Sequence, residues 1–386
     1  MNKSTQENPA GERANTPQPV NDSLARTRFI ELDGLKGIST TFVVAAHIDI
    51  RPVFWAWSWM DMFFVLSSFL LTRIAYKKCT DFRSVIAFSG RRIERIWPLY
   101  FLTISLLFVT AAVINHVKSA AVFDLTAFAR LYTFSQYSEM LFQPVANDNY
   151  IYLARHTWSL ALEEQFYVLL PLAVLLLRRT SPLVWLTVLV SVIVLSITQR
   201  IANPNMYILT SHLDAFAFGS LVAIGFQEFS AHARLMRRLL LCLALVSLAL
   251  FIPYVFEGYA ALLKGDTEPR YEAWPATFSV VFWASSIGLL ALNRGAEALS
   301  LLRHPALVRV GNLSYAIYLV HYPILKLVPN QLVAQFPGLT HLTAELLCLP
   351  LIWLLAEFLY RTIDRPLQER RPTNLGRSSD ARAITG

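Results

Sequence analysis

The sequence predicts an all-α, polytopic membrane protein of about ten transmembrane helices with both termini in the cytoplasm. Three observations carry this. Of the 386 residues 55% are hydrophobic and 16% charged, with a mean hydropathy of +0.45, values outside the usual range of soluble domains. Apolar runs long enough to cross about 30 Å of hydrocarbon recur along the chain. They lie near 36–50, 53–72, 97–115, 156–177, 182–199, 206–226, 238–256, 274–293, 309–326 and 341–360. The basic residues also sort by side. With the N-terminus inside, 26 of the 34 Lys and Arg fall on the inner side and 8 on the outer, the bias of cytoplasmic loops. That bias explains the net charge of +8 as topology, so nucleic-acid binding is set aside.

Taken in order, residues 1–28 hold Pro9, Gly11, Pro17 and Pro19 and no apolar core. They read as a disordered cytoplasmic tail, not a signal peptide. The transmembrane domain is expected over 29–367, and 368–386 form a second cytoplasmic tail. Cys79, Cys242 and Cys348 are scattered, a pattern that predicts neither a disulfide nor a metal site. The longest outer connections, near 116–155 and 257–273, are where an outside substrate would be met. The first holds an apolar, aromatic piece, Ala120 to Phe142, suited to the membrane interface.

The first span places Lys36 and His47 eleven residues apart. Eleven steps of about 100° return a helix to within roughly 20° of its starting face, and climb about 16 Å. One face thus carries a cation at the membrane surface and an imidazole at depth. An ionisable residue within the bilayer suggests a functional site.

The second span carries Asp61, close enough in depth to fix the tautomer of His47. At the mouth of the third, Arg91, Arg92 and Arg95 precede Pro98. Arg92 and Arg95 share a face, and their planar forks of donors suit phosphate, although ordinary positive-inside anchoring would also place them there. The fourth span opens with Trp158, Ser159, Glu163 and Glu164. Glu163 falls about 12 Å below the outer boundary, near the depth that His47 reaches from the other side. Unpaired charges facing lipid cost about 2.5–3.5 kcal/mol each on insertion scales, so these groups should face inward. They would serve catalysis or, alternatively, glue helices together.

Asp214 and His212 enter the sixth span and would line an outer cavity. In the ninth, Ser314, Tyr318 and His321 fall on one stripe. His321 rivals His47 as a base, with a packing role as its alternative. The chain lacks a Walker loop, a Gly-rich dinucleotide turn, a His-x-x-x-His pair and a Gly-x-Ser-x-Gly elbow.

From Phe29 to Leu367 the chain resembles the type 3 acyltransferases, a family of integral-membrane O-acyltransferases. The resemblance rests on Leu32-Asp33-Gly34-Leu35-Lys36-Gly37 with His47, on the Asp61–Phe69 string, and on Arg92-x-x-Arg95. It rests further on Trp158 to Tyr167, on Gly311-Asn312-x-Ser314-Tyr315-x-x-Tyr318-Leu319-x-His321, and on Asp364-Arg365-Pro366. It implies transfer of an acyl group, usually acetyl, from cytoplasmic acyl-CoA to a hydroxyl of a glycan or small molecule, with no permanently bound cofactor and no metal. It implies a multi-pass protein of the bacterial plasma membrane. The family's functional arginine, histidine and two-arginine motif fall on Lys36, His47, Arg92 and Arg95. Lys36 replaces the usual arginine and loses its bidentate fork; Ser68 stands where glycine is common. Joined to the residue reading, this gives His47, Glu163, Glu164 and Asp61 as catalytic candidates. Lys36, Arg91, Arg92 and Arg95 are the candidates for holding acyl-CoA. Trp158, Ser159, Tyr318, His321 and Asp214 are those for the acceptor. A proton-coupled transporter or flippase is the alternative from another class, and a structural subunit of an export complex a third.

Overall fold

The computed structural model describes residues 28–48, 55, 57–118, 125–136, 150–264 and 272–369. The expected tails fall outside these, apart from Arg28 and Gln368–Glu369. No β-strand occurs among the described residues, and each apolar run carries a helix. These are α1 (Ile30–His47), α2 (Ser58–Lys78), α3 (Phe82–Lys118), α5 (Trp158–Leu177), α6 (Pro182–Ala202), α7 (Leu213–Glu228), α8 (Ala233–Leu263), α9 (Ala273–Leu292), α10 (Pro305–Gln335) and α11 (His341–Leu359), with the short α4 (Leu125–Tyr132) between α3 and α5.

Seven of them, α2, α3, α5, α6, α8, α9 and α11, are long and apolar enough to cross a membrane. The chain is a multi-pass membrane protein. Of the other three long helices, α7 has only 16 residues, and α1 carries Glu31, Asp33 and Lys36 within its 18. α1 packs mainly on α10, and α7 on α2. α1 buries Glu31, Asp33, Ser39 and Thr40. By contrast α6 and α8 bury only 11% and 22% of their apolar windows, as lipid-facing helices should.

Local chemistry sets the ends. α6 begins at Ser181, whose hydroxyl accepts from the Val184 amide, with Pro182 in the first turn; Thr340 caps α11 through Thr343. A capping oxygen meets amides that have no helical partner, and proline at the first position gives up none that is needed. Within α1 the Ser39, Thr40 and Thr41 hydroxyls donate to the carbonyls of Leu35, Lys36 and Gly37 at 2.9, 2.7 and 3.0 Å. Polar side chains are thereby satisfied without water.

Glycine sets the closest approach. A Cβ on Gly311 of α10 would lie 1.9 Å from the Asp33 carbonyl oxygen, and one on Gly37 of α1 2.1 Å from that of Leu307. The two helices meet backbone to backbone, as small residues permit in membranes. Gly219 of α7 does the same against Val65 of α2. Beside it Ser68 is fully buried, donates to the Phe216 carbonyl and bonds Ser220 at 2.9 Å. Ser68 thus supplies a helix–helix hydrogen bond.

Several expected boundaries move. α1 starts at Ile30, so Lys36 lies within the helix and not at its mouth. α3 starts at Phe82 and runs 37 residues, through Pro98, so the arginines too lie inside a helix. α8 continues to Leu263, shortening the expected 257–273 connection; residues 265–271 lie outside the described residues. Of the piece from Ala120 to Phe142, α4 is helical. It docks on α3 where the Tyr100 hydroxyl donates to the Leu131 carbonyl at 2.8 Å. Residues 120–124 and 137–142 lie outside the described residues.

Candidate active site

A cavity of about 320 Å³ opens between α1, α2, α3, α5 and α10. On α1 it is lined by Lys36, Thr40, Val43 and Val44, which sit at i, i+4, i+7 and i+8 on one helix face. His47 continues that face past the lining, about 16 Å along the axis from Lys36. The cavity therefore has a Lys36 end and a histidine end.

At the Lys36 end α3 contributes Arg92 and Arg95. Arg95 makes no hydrogen bond or ion pair among the described residues; Arg92 lies over the Phe88 ring at 5.9 Å. The ammonium of Lys36 pairs with Asp33 at 2.6 Å, and Asp33 also binds Arg28. Arg28 reaches Asn312 on α10, and Glu31 accepts from the Gly295 amide at 2.9 Å and from Arg303 at 3.1 Å. Acidic residues thus brace the start of α1, while Arg92 and Arg95 line the cavity beside Lys36. Arg91 does not line the cavity.

The middle is set by Glu163. Its carboxylate accepts from the Ser67 hydroxyl at 3.0 Å and the Tyr167 hydroxyl at 2.7 Å. Glu164, one residue on, faces away and accepts from the Trp97 indole at 3.0 Å. Tyr315 donates to the Ile96 carbonyl at 2.7 Å and ties α10 to the arginine turn of α3.

At the other end His321 lines the cavity. Its Nδ1 faces the carbonyls of Ile317 at 3.1 Å and Tyr318 at 2.8 Å. Two carbonyls require Nδ1 to carry the hydrogen, which leaves Nε2 as a lone-pair acceptor; that atom is buried without a partner. The His47 ring lies 5.2 Å from His321 and 5.0 Å from Tyr322. His156 lies 5.3 Å from His321 and 5.1 Å from Tyr322. The Tyr318 hydroxyl donates to the His156 carbonyl at 2.6 Å, so the Ser159 hydroxyl, 2.9 Å away, donates to Tyr318.

Several expected partnerships do not form. Asp61 does not reach His47: its carboxylate lies 3.2 Å from His212 Nδ1, because α2 packs on α7 and presents Asp61 there. Neither Glu163 nor Glu164 bonds His47. Asp214 does not line this cavity. It is fully buried in a bidentate pair with Arg200, at 2.8 and 2.5 Å, which Ser211 and Thr277 complete. Trp158 packs against Phe64, Tyr207 and His212 instead of lining the cavity. The structure does bring together Lys36, Arg92, Arg95, Ser159, Glu163, Tyr318 and His321, with His47 against the last. The sequence reading missed Ser67, Tyr167 and His156. Tyr167 was within reach, four residues after Glu163 on the same helix face; Ser67 and His156 carried no spacing signal. Among the described residues no group of His, Cys, Asp or Glu is arranged to hold a metal ion.

Residues 29–357 match the type 3 acyltransferase domain. The chain belongs to that family. The O-acetyltransferase OatA of Staphylococcus aureus strain NCTC 8325 / PS 47 is 24% identical over 367 residues, covering 88% of this chain and 57% of the relative. OatA of strain COL gives the same figures. The chain thus spans little more than half the length of the curated relatives it matches. No solved structure matches it.

Proposed function

We propose that the protein transfers an acyl group, acetyl first of all, from cytoplasmic acyl-CoA to a hydroxyl of a glycan. The acceptor is a cell-surface or exported polysaccharide or its lipid-linked precursor, and the protein sits in the bacterial plasma membrane with both termini inside. The observation that carries this reading is a single cavity with three cations at one end and an imidazole with an open nitrogen at the other.

The parts take the following roles. Arg92, Arg95 and Lys36 bind the donor's phosphates by charge-assisted hydrogen bonds. The pantetheine arm follows the α1 face past Thr40, Val43 and Val44. Glu163, held by Ser67 and Tyr167, offers its remaining lone pairs to the amide hydrogens of the arm. At the far end the His47–His321 pair takes the proton of the acceptor hydroxyl as that oxygen attacks the thioester carbon. The Lys36-to-His47 rise is of the order of an extended arm. A donor from one side can then meet an acceptor from the other. OatA, an O-acetyltransferase by name, supports acetyl and oxygen as the transferred and receiving groups.

The test incubates membranes with labelled acetyl-CoA and peptidoglycan, lipopolysaccharide and capsular polysaccharide, comparing wild type with His47→Ala and His47→Gln. Base-labile label should appear in one glycan fraction with wild type. Both variants should lose at least about 100-fold, the lower range of a general base, at unchanged protein level. Wild-type transfer by both variants would remove His47 from the chemistry. A wild type that transports a glycan without acylating it or binding acetyl-CoA would replace this reading with a transporter.

A further inference from the structure

Two cations stand beyond the histidine rings, and the acyl-transfer parts above use neither. α10 runs from Gly311, packed on the start of α1, to His321 beside His47. Lys326 is five residues further on, about 7.5 Å along the axis. Its ammonium lies 5.6 Å from the centre of the Tyr322 ring, and that ring is 5.0 Å from His47. Arg155 adjoins His156, whose own ring stacks on Tyr322 at 5.1 Å. One tyrosine thus joins both cations to the rings at the end of the cavity.

Arg155 is held in place. Its guanidinium donates to the Tyr207 hydroxyl at 3.2 Å, and Tyr207 packs on Trp158 at 5.3 Å. That bond uses one of five N–H donors. Both cations are half-buried, and among the described residues neither has an ion pair. Positive-inside anchoring does not explain them, since they fall on the side that keeps 8 of the 34 basic residues. Among the described residues no carboxylate bonds His47 or His321. A proton taken by that pair would therefore add a third positive charge beside these two, with none of opposite sign to offset it.

Resting on the acyl-transfer reading, we propose that the acceptor is an acidic glycan, and that Arg155 and Lys326 hold its carboxylate or phosphate while its hydroxyl meets His321. The anion then does two things. It fixes which hydroxyl reaches the base, since its distance from the two cations sets the register of the sugar. It also brings the missing negative charge to the rings as they take the proton. A neutral glycan does neither, so charge at this mouth selects the substrate.

The test uses full-length protein in membranes, labelled acetyl-CoA and two matched pairs of acceptors. One pair is a uronic-acid polysaccharide and its carboxyl-reduced form; the other is a phosphorylated oligosaccharide and its dephosphorylated form. Wild type should prefer the acidic member of one pair by about tenfold in kcat/KM, the lower range of a charged hydrogen bond. Which pair responds tells carboxylate from phosphate. The preference should shrink in about 1 M salt, where charges are screened within about 3 Å. Arg155→Gln and Lys326→Gln should each raise the KM of the acidic acceptor about tenfold and erase the preference, with the KM for acetyl-CoA within about twofold of wild type. Arg155→Lys and Lys326→Arg should keep part of it. A wild type that acylates both members of both pairs alike would overturn this inference and leave acyl transfer standing. So would a preference that outlasts both glutamine substitutions in folded protein. The wild-type preference and its salt response decide where a variant does not fold. A wild type that neither binds acetyl-CoA nor acylates any glycan would overturn the acyl-transfer reading itself.

Discussion

Arg95 and Arg200 show how differently two arginines of one membrane protein are used. Arg200 is sealed, with its guanidinium on Asp214, Ser211 and Thr277. Removing one partner leaves a buried charge uncompensated, which costs about 3–5 kcal/mol. Arg200→Leu should therefore unfold in detergent with stability lower by that amount, while Arg200→Leu with Asp214→Leu should recover part of it; thermal melts of the purified chain decide. Arg95 has no ion pair among the described residues and lines the cavity. Arg95→Ala should leave the melt near wild type and weaken acetyl-CoA binding by about 10- to 100-fold, the loss of a charged hydrogen bond. Equal loss of stability in both variants would make Arg95 structural. Glu163→Gln tests the middle of the cavity. An amide nitrogen cannot accept from Ser67 or Tyr167, so donor KM should rise while protein level holds.

At the scale of elements, the glycine contact between α1 and α10 fixes the distance from Lys36 to His321. Gly311→Leu or Gly37→Val forces carbon against a carbonyl oxygen at about 2 Å and should cost roughly 3 kcal/mol or more. The readout is loss of folded, monodisperse protein. Gly90→Ala is the matched control. Nothing lies within 4 Å of a Cβ there, so it should be neutral or stabilising by up to about 1 kcal/mol, as Ala is over Gly in a helix. Much at this scale could be read from the sequence. Apolar length placed every long helix, because the need to satisfy backbone groups leaves helices as the only lipid-compatible choice for such runs. What escaped was where helices begin. Asp33 and Lys36, or Arg92 and Arg95, look like surface charge in a hydropathy reading, yet α1 and α3 run through them because neighbours in the bundle supply polar partners.

For the whole molecule, the positive-inside bias and the cavity point the same way: the cationic end of the cavity lies on the side rich in Lys and Arg. The depth argument from sequence set Glu163 in one layer with His47; the carboxylate lines the cavity but bonds Ser67 and Tyr167, not His47. Depth carries no information about rotation around a helix axis, so it mispaired Asp61 and Glu164, which α2 and α5 turn toward His212 and Trp97. His156 stayed invisible for a related reason, since the rings it meets, Tyr318, His321 and Tyr322, lie on α10, far away in sequence. The central claim is that one cavity binds the donor's phosphates at Lys36, Arg92 and Arg95 and delivers its acyl carbon to His321 and His47. The most direct measurement is an experimental structure of the full chain with a thioether analogue of acetyl-CoA. The account predicts phosphates on those three cations and the acyl-bearing carbon beside His321 Nε2. Phosphates bound elsewhere, or a His47 ring turned out toward lipid, would contradict it.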